Sequence, residues 1–94
     1  MPTANEILKK QFMEPLGLSA YMVAKRIHVD SARIINILSG KRTITADTSI
    51  RLGRLFGVKD DYFLNLQGKD DIDILKEKNK EELKKIREID HKRK

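Results

Sequence analysis

The chain has 94 residues, which suffices for a single small core with appendages. It contains no cysteine, so disulfides, thiolate zinc sites and a thiol nucleophile are excluded, and the composition fits a reducing cytosol. The formal net charge of +6 favours an anionic partner, and neither a signal-peptide pattern nor an apolar run of about 20 residues occurs, so a soluble protein with no membrane contact is expected.

Apolar residues recur at helical spacing throughout, which predicts an all-α chain. The first helix starts after Thr3, with Glu6 completing a capping box, and turns Ile7, Leu8, Phe12 and Met13 inward until Pro15 and Gly17 end it. Ser19 caps a second helix carrying the apolar stripe Val23, Ala24 and Ile27, and a break follows at His28. Asp30 caps the third, and Gly40 stands where the left-handed residue after a helix belongs. Thr45 opens the fourth, with Asp47 in its first turn and the apolar positions Ile50, Leu52, Leu55 and Phe56 running to Gly57. Asp60 or Asp61 opens a fifth, in which Gly68 is expected to mark a kink or an end.

The expected domain boundary lies after residue 74. Residues 75–94, "LKEKNKEELKKIREIDHKRK", form a charged tail with few bulky apolar residues, read as a solvated helix or disordered segment, or alternatively as a helix that folds on a partner. Glu81 with Lys85 and Glu88 with Lys92 are spaced for helical ion pairs, and a weak heptad runs through Ile72, Leu75, Asn79, Ile86 and Ile89. Positive charge collects in two places: residues 25–54 hold seven bases against two acids, and residues 75–94 hold nine against five.

At about 100° per residue, the third helix places Ile34, Ile37 and Leu38 on one side and Ala32 and Asn36 on the other, flanked by Arg33 and Ile35. A capped helix, a tight turn, a second capped helix and then Gly with two bases is the plan of a helix-turn-helix, here spanning about residues 19–39, whose second helix enters the DNA major groove.

Leu18 to Gly57 resembles the xenobiotic-response-element, Cro-like type of repressor helix-turn-helix. The longer string "EPLGLS…MVAKRI…RIINILSGKRTITADTSIRLGRLFGVKDDYFLNLQ" resembles the HigA family of antitoxins over about residues 4 to 74. That resemblance implies a five-helix, lambda-repressor-like homodimer that represses its own type II toxin-antitoxin operon and neutralises a HigB-type mRNA endonuclease. Two positions depart from the family pattern. His28 stands in the turn where Gly is usual, and Ala20 opens the second helix where Gln is common.

Groove chemistry suggests a role for each outward residue. Arg33 suits guanine O6 and N7, Asn36 suits adenine N6 and N7, Ala32 and Ile35 suit thymine methyls, and Ser31 suits a base edge or a phosphate. Lys41, Arg42, Thr43 and Thr45 suit phosphates on one side, and Ser19 and Tyr21 on the other. A dimer contact is expected on the fifth helix through Tyr62, Phe63 and Leu66, which are equally candidates for the core. Plainer readings stand beside these: Arg33 pairing internally with Asp47, Ile35 buried in a partner, Lys41 and Arg42 as ordinary solvated bases, and Arg51 bracing the fold.

No cofactor or metal is expected, because the two histidines, at 28 and 91, lie far apart and the acids fall near helix starts, where capping accounts for them. The chain is therefore read as a cytoplasmic, nucleoid-associated DNA-binding protein and not as an enzyme. Three other readings remain: a module that chiefly holds a toxin, a stand-alone phage- or plasmid-type repressor, and a nonspecific nucleic-acid binder acting through its tail.

Overall fold

In the computed structural model, which describes residues 3–89, the chain opens with the reciprocal cap its sequence predicts. Thr3 Oγ1 accepts the Glu6 N–H at 3.3 Å, and Glu6 Oε1 accepts the Thr3 N–H at 3.1 Å. The α-helix that follows, α1 (Ala4–Ile7), widens at once into a π-helical stretch (Leu8–Met13) and closes through a 3-10 turn (Glu14–Leu16). In an unbroken α-helix Met13 would point about 140° away from Leu8. The wider winding brings the two onto one face, and both are buried.

Five further helices complete the described chain: α2 (Ala20–Ile27), α3 (Ser31–Leu38), α4 (Ala46–Phe56), α5 (Tyr62–Lys78) and α6 (Lys80–Lys84). No strand occurs among the described residues, so the fold is all-α. Ser19 Oγ accepts the Met22 N–H, and Thr45 Oγ1 accepts the Thr48 N–H, as their cap positions require. Gly17, Gly40 and Gly57 all take positive φ after helical segments.

His28 is the only non-glycine with positive φ among the described residues, at +62°. This left-handed geometry turns the chain from α2 into α3. Replacing His28 with Gly should therefore relieve side-chain strain at some cost in unfolded-state entropy, for a net gain of about 0.5 to 1 kcal/mol. A urea midpoint unchanged or lowered in His28→Gly would contradict that.

The core combines Leu8 and Met13 with Val23, Ile27, Ile34, Ile37, Ile44, Leu52 and Phe63. Phe12 stands at the middle of an aromatic cluster, with ring centroids 5.1 Å from Phe63, 5.2 Å from Phe56 and 5.8 Å from Tyr62. Edge-to-face geometry of this kind adds to the burial energy of each ring. The cluster fastens the first helical segment to the end of α4 and the start of α5.

Several expectations need correction. Phe63, expected at a dimer contact, is 0% exposed, because it completes the chain's own aromatic cluster and so has no surface for a second copy. Tyr62 and Leu66 pack against the same core but remain half-buried. Ile50 is 41% exposed, since the buried stripe of α4 runs through Thr48, Ser49, Leu52 and Gly53 and position 50 lies about 200° round from Thr48. Asp30 and Asp61 occupy N-cap positions without bonding a helix N–H through their side chains. At Asp61 the backbone is not extended, and a side-chain cap needs that extended geometry.

Gly68 does not end α5, which continues to Lys78. The helix crosses residue 75 without interruption, and packing fades before the helix does: every residue from Asp71 to Ile89 is exposed. At Asn79 the geometry changes and α6 begins. Glu81 pairs with Lys84 at 3.8 Å and not with Lys85, which lies beyond the end of α6. The expected partner of Glu88, Lys92, lies outside the described residues.

Candidate nucleic-acid interface

The third helix is held from behind by Ile34 and Ile37, which are 0% and 1% exposed. Their burial against α2 fixes the rotation of α3 and so decides which side chains face outward. Ala32 is exposed, Ile35 is 52% exposed, and Ser31 and Asn36 are half-buried. The Asn36 side-chain amide makes no hydrogen bond within the described residues, which leaves both its donor and its acceptor free for an incoming group. An apolar methyl, a branched alkyl group and an unengaged amide thus share one solvent-facing side.

The chain beyond α3 folds back on the same helix. Lys41 N–H and Arg42 N–H both donate to the Asn36 carbonyl, at 2.9 and 3.1 Å, and Ser39 Oγ donates to it at 3.2 Å. This return, made possible by the left-handed turn at Gly40, sets the exposed bases Lys41 and Arg42 and the exposed Thr43 beside the end of α3. Across the helix, an open recess of about 340 Å³ between α2 and α3 is lined by Tyr21, Lys25, Asp30 and Ser31, among others. Tyr21 is 64% exposed there.

Two hydroxyls expected to meet phosphates are already in use as caps. Ser19 Oγ accepts from Met22 but keeps its proton available. Thr45 Oγ1 accepts from the Thr48 N–H and donates to Thr48 Oγ1 at 3.4 Å, so its hydroxyl is committed inside the chain even though the residue is exposed.

Arg33 does form the internal pair. Its Nη1 donates to Asp47 Oδ2 at 2.8 Å and to Thr48 Oγ1 at 3.3 Å. Arg51 Nε donates to both oxygens of Asp47, at 3.1 and 3.0 Å, and its Nη1 reaches the Ile27 carbonyl at 2.8 Å, which makes Arg51 the brace its mid-helix position suggests. Hydrogen bonding from Arg33, then from Arg51, holds the Asp47 carboxyl below its ordinary value of 3.8.

A depressed folded-state value means that the Asp47 interaction stabilises the fold above the ordinary carboxylate range and is lost as pH falls through the lowered value. Wild type should therefore melt above Asp47→Asn near neutral pH, and the gap should begin to narrow as pH falls past the ordinary value of 3.8 and close only below the lowered one. A gap that stayed constant with pH would show that the carboxylate charge is irrelevant.

Other long-range ties carry no local sequence signal. Gln67 Oε1 accepts the Ile44 N–H at 3.2 Å, and Asp70 Oδ2 accepts the Ala4 N–H at 2.6 Å. Both partners are remote in sequence, and no short-range spacing rule points to them. Among the described residues no group of three or more His, Cys, Asp or Glu side chains could hold a metal ion, and no helix is long and apolar enough to cross a membrane.

Comparison with known proteins places this geometry among relatives. A helix-turn-helix family model, HTH_3, matches residues 9–63. Virulence-associated protein I of Dichelobacter nodosus is 46% identical over 63 residues, an overlap covering 67% of this chain and 58% of that protein, so the chain spans less than two thirds of that relative's length. Among solved structures, an addiction module antidote protein of a HigA family from Coxiella burnetii is 32% identical with a TM-score of 0.86, over 94% of this chain and 97% of its own. The Pseudomonas aeruginosa antitoxin HigA with the higBA promoter is 26% identical with a TM-score of 0.87, over 94% and 97% of the two chains.

Proposed function

Because the chain belongs to the HTH_3 helix-turn-helix family and is of the HigA antitoxin type, a DNA-binding family and not an enzyme family, we propose that it is a cytoplasmic, nucleoid-associated antitoxin and autorepressor. It binds operator DNA sequence-specifically as a homodimer and neutralises a HigB-type mRNA endonuclease encoded beside it. The observation that carries the DNA half is the outward side of α3, where Ala32, Ile35 and the unengaged Asn36 amide stand over buried Ile34 and Ile37. Lys41 and Arg42, with Ser19, Tyr21 and Thr43, supply phosphate contacts that set the register. The Pseudomonas aeruginosa relative, solved with the higBA promoter, supports the same assignment.

One reading helix reaches only a few bases, so two-fold pairing is needed to present a second helix one turn, about 34 Å, further along the duplex. With Phe63 enclosed, the proposed contact runs along α5 through Tyr62 and Leu66, which retain some surface. Residues 1–74 are proposed as the DNA-binding unit and residues 75–94 as a charged appendage. The toxin half rests on the HigA likeness.

The test is a mobility shift on a duplex selected from a randomised library. The protein should shift the enriched sequence at nanomolar-range concentrations, a scrambled duplex should not compete, and affinity should fall linearly on a log–log plot against salt. Equal binding to both duplexes would overturn sequence-specific reading. For the toxin half, co-expression with the adjoining reading frame should relieve that product's toxicity, and failure to do so would remove the antitoxin assignment while leaving the repressor intact.

A further inference from the structure

A single carboxylate joins the reading helix to the two helices behind it. Asp47, in the first turn of α4, receives Arg33 of α3 on one side and Arg51 of α4 on the other, and Arg51 in turn holds the last carbonyl of α2, at Ile27. Charge-assisted bonds therefore run without a gap from α2 through α4 to Arg33. The Asp47 side chain is 56% exposed, and ion pairs this open contribute little to stability. What such a pair does supply is orientation.

The donors of Arg33 divide in a telling way. A guanidinium carries five N–H groups in a rigid planar fork. Asp47 and Thr48 both draw on Nη1, and neither Nε nor Nη2 makes a hydrogen bond within the described residues. Nε and Nη2 together form one edge with two parallel N–H groups, the pattern that matches O6 and N7 of guanine. Internal pairing and base reading therefore use different edges of the same group. An arginine already tethered by one nitrogen also has less rotamer freedom to lose when it docks.

We propose, resting on the DNA-reading assignment above, that Asp47 is a specificity-positioning residue that holds Arg33 by Nη1 so that its Nε–Nη2 edge reads guanine at one fixed position of each operator half-site. Asp47 acts through Arg33, and Arg51 keeps the Asp47 carboxylate in place by bonding both of its oxygens.

Selection from a randomised duplex library with the full chain tests this, using wild type, Asp47→Asn, Asp47→Glu and Arg33→Lys, with thermal melts to check that each variant folds. Wild type should enrich a guanine at one position per half-site. In Asp47→Asn the preference there should fall about tenfold while the other positions and the salt slope stay unchanged. Arg33→Lys keeps a cation beside Asp47 but offers no second edge, and it should lose the same guanine; Asp47→Glu, which retains the carboxylate, should recover it. If Asp47→Asn keeps the full wild-type base profile and only melts earlier, or if Arg33→Lys leaves every base preference intact, the inference is overturned. If wild type itself enriches no sequence, the DNA-reading assignment fails and takes this inference with it.

Discussion

Replacing Phe63 with alanine should cost about 3 to 5 kcal/mol and lower the melting midpoint by about 15 to 30 °C, the largest stability effect expected of a single side chain here. Phe63 is 0% exposed, with ring centroids 5.1 Å from both Phe12 and Tyr62 and 6.3 Å from Phe56. Its removal takes away buried apolar area and leaves a void at the meeting point of three helical segments. A rigid cluster of rings collapses poorly into such a space, which places the cost at the upper end of core truncations. For a domain whose total stability is about 5 to 15 kcal/mol, that cost removes a large share of what holds the fold together. A shift of less than about 5 °C in a circular dichroism melt would mean that the cluster is far less important than its geometry indicates.

The largest functional effect is expected from Ala32→Glu, which should reduce affinity for selected operator DNA by at least about a hundredfold, or roughly 2.8 kcal/mol, and leave the fold intact. Ala32 is exposed on the outward side of α3, so a longer side chain meets nothing inside the protein. Glutamate is a good helix former, and a negative charge in the first turn of α3 complements the helix dipole. In a complex, the same carboxylate would enter a groove walled by phosphates and bring an acceptor to edges already rich in acceptors. Melting at the wild-type temperature together with lost binding is the signature of an interface residue. Binding within threefold of wild type would show that this side of α3 does not meet the duplex.

The dimer expectation shows how one residue can suit two roles in sequence and only one in the fold. Aromatic residues near the start of the fifth helix suit either a core or an interface, and composition alone gives no means of choosing. Phe12 decides the matter, because the π-helical winding of Leu8–Met13 turns it toward Phe63 and closes the cluster within one chain. Arg33 is a similar case. Its spacing put it at the edge of the outward face, and both a base contact and a pair with Asp47 were legible. Which nitrogen makes the pair, and therefore which edge stays free, is visible only in three dimensions.

Much of the architecture was written locally. Caps at Thr3, Ser19 and Thr45, and left-handed turns at Gly17, His28, Gly40 and Gly57, act over three or four residues, and the inward stripe Ile34 and Ile37 follows from helical period alone. Short-range rules of this kind survive without knowledge of the rest of the chain, and for that reason the all-α order and the outward side of α3 could be read directly from the residues. The winding of the first helical segment, the enclosure of Phe63, the outward turn of Ile50 and the bonds made by Asp47, Gln67 and Asp70 were settled by tertiary packing. Each depends on a partner in another helix or on the rotation a helix adopts against its neighbours, and neither is fixed by the local chain until the core has formed.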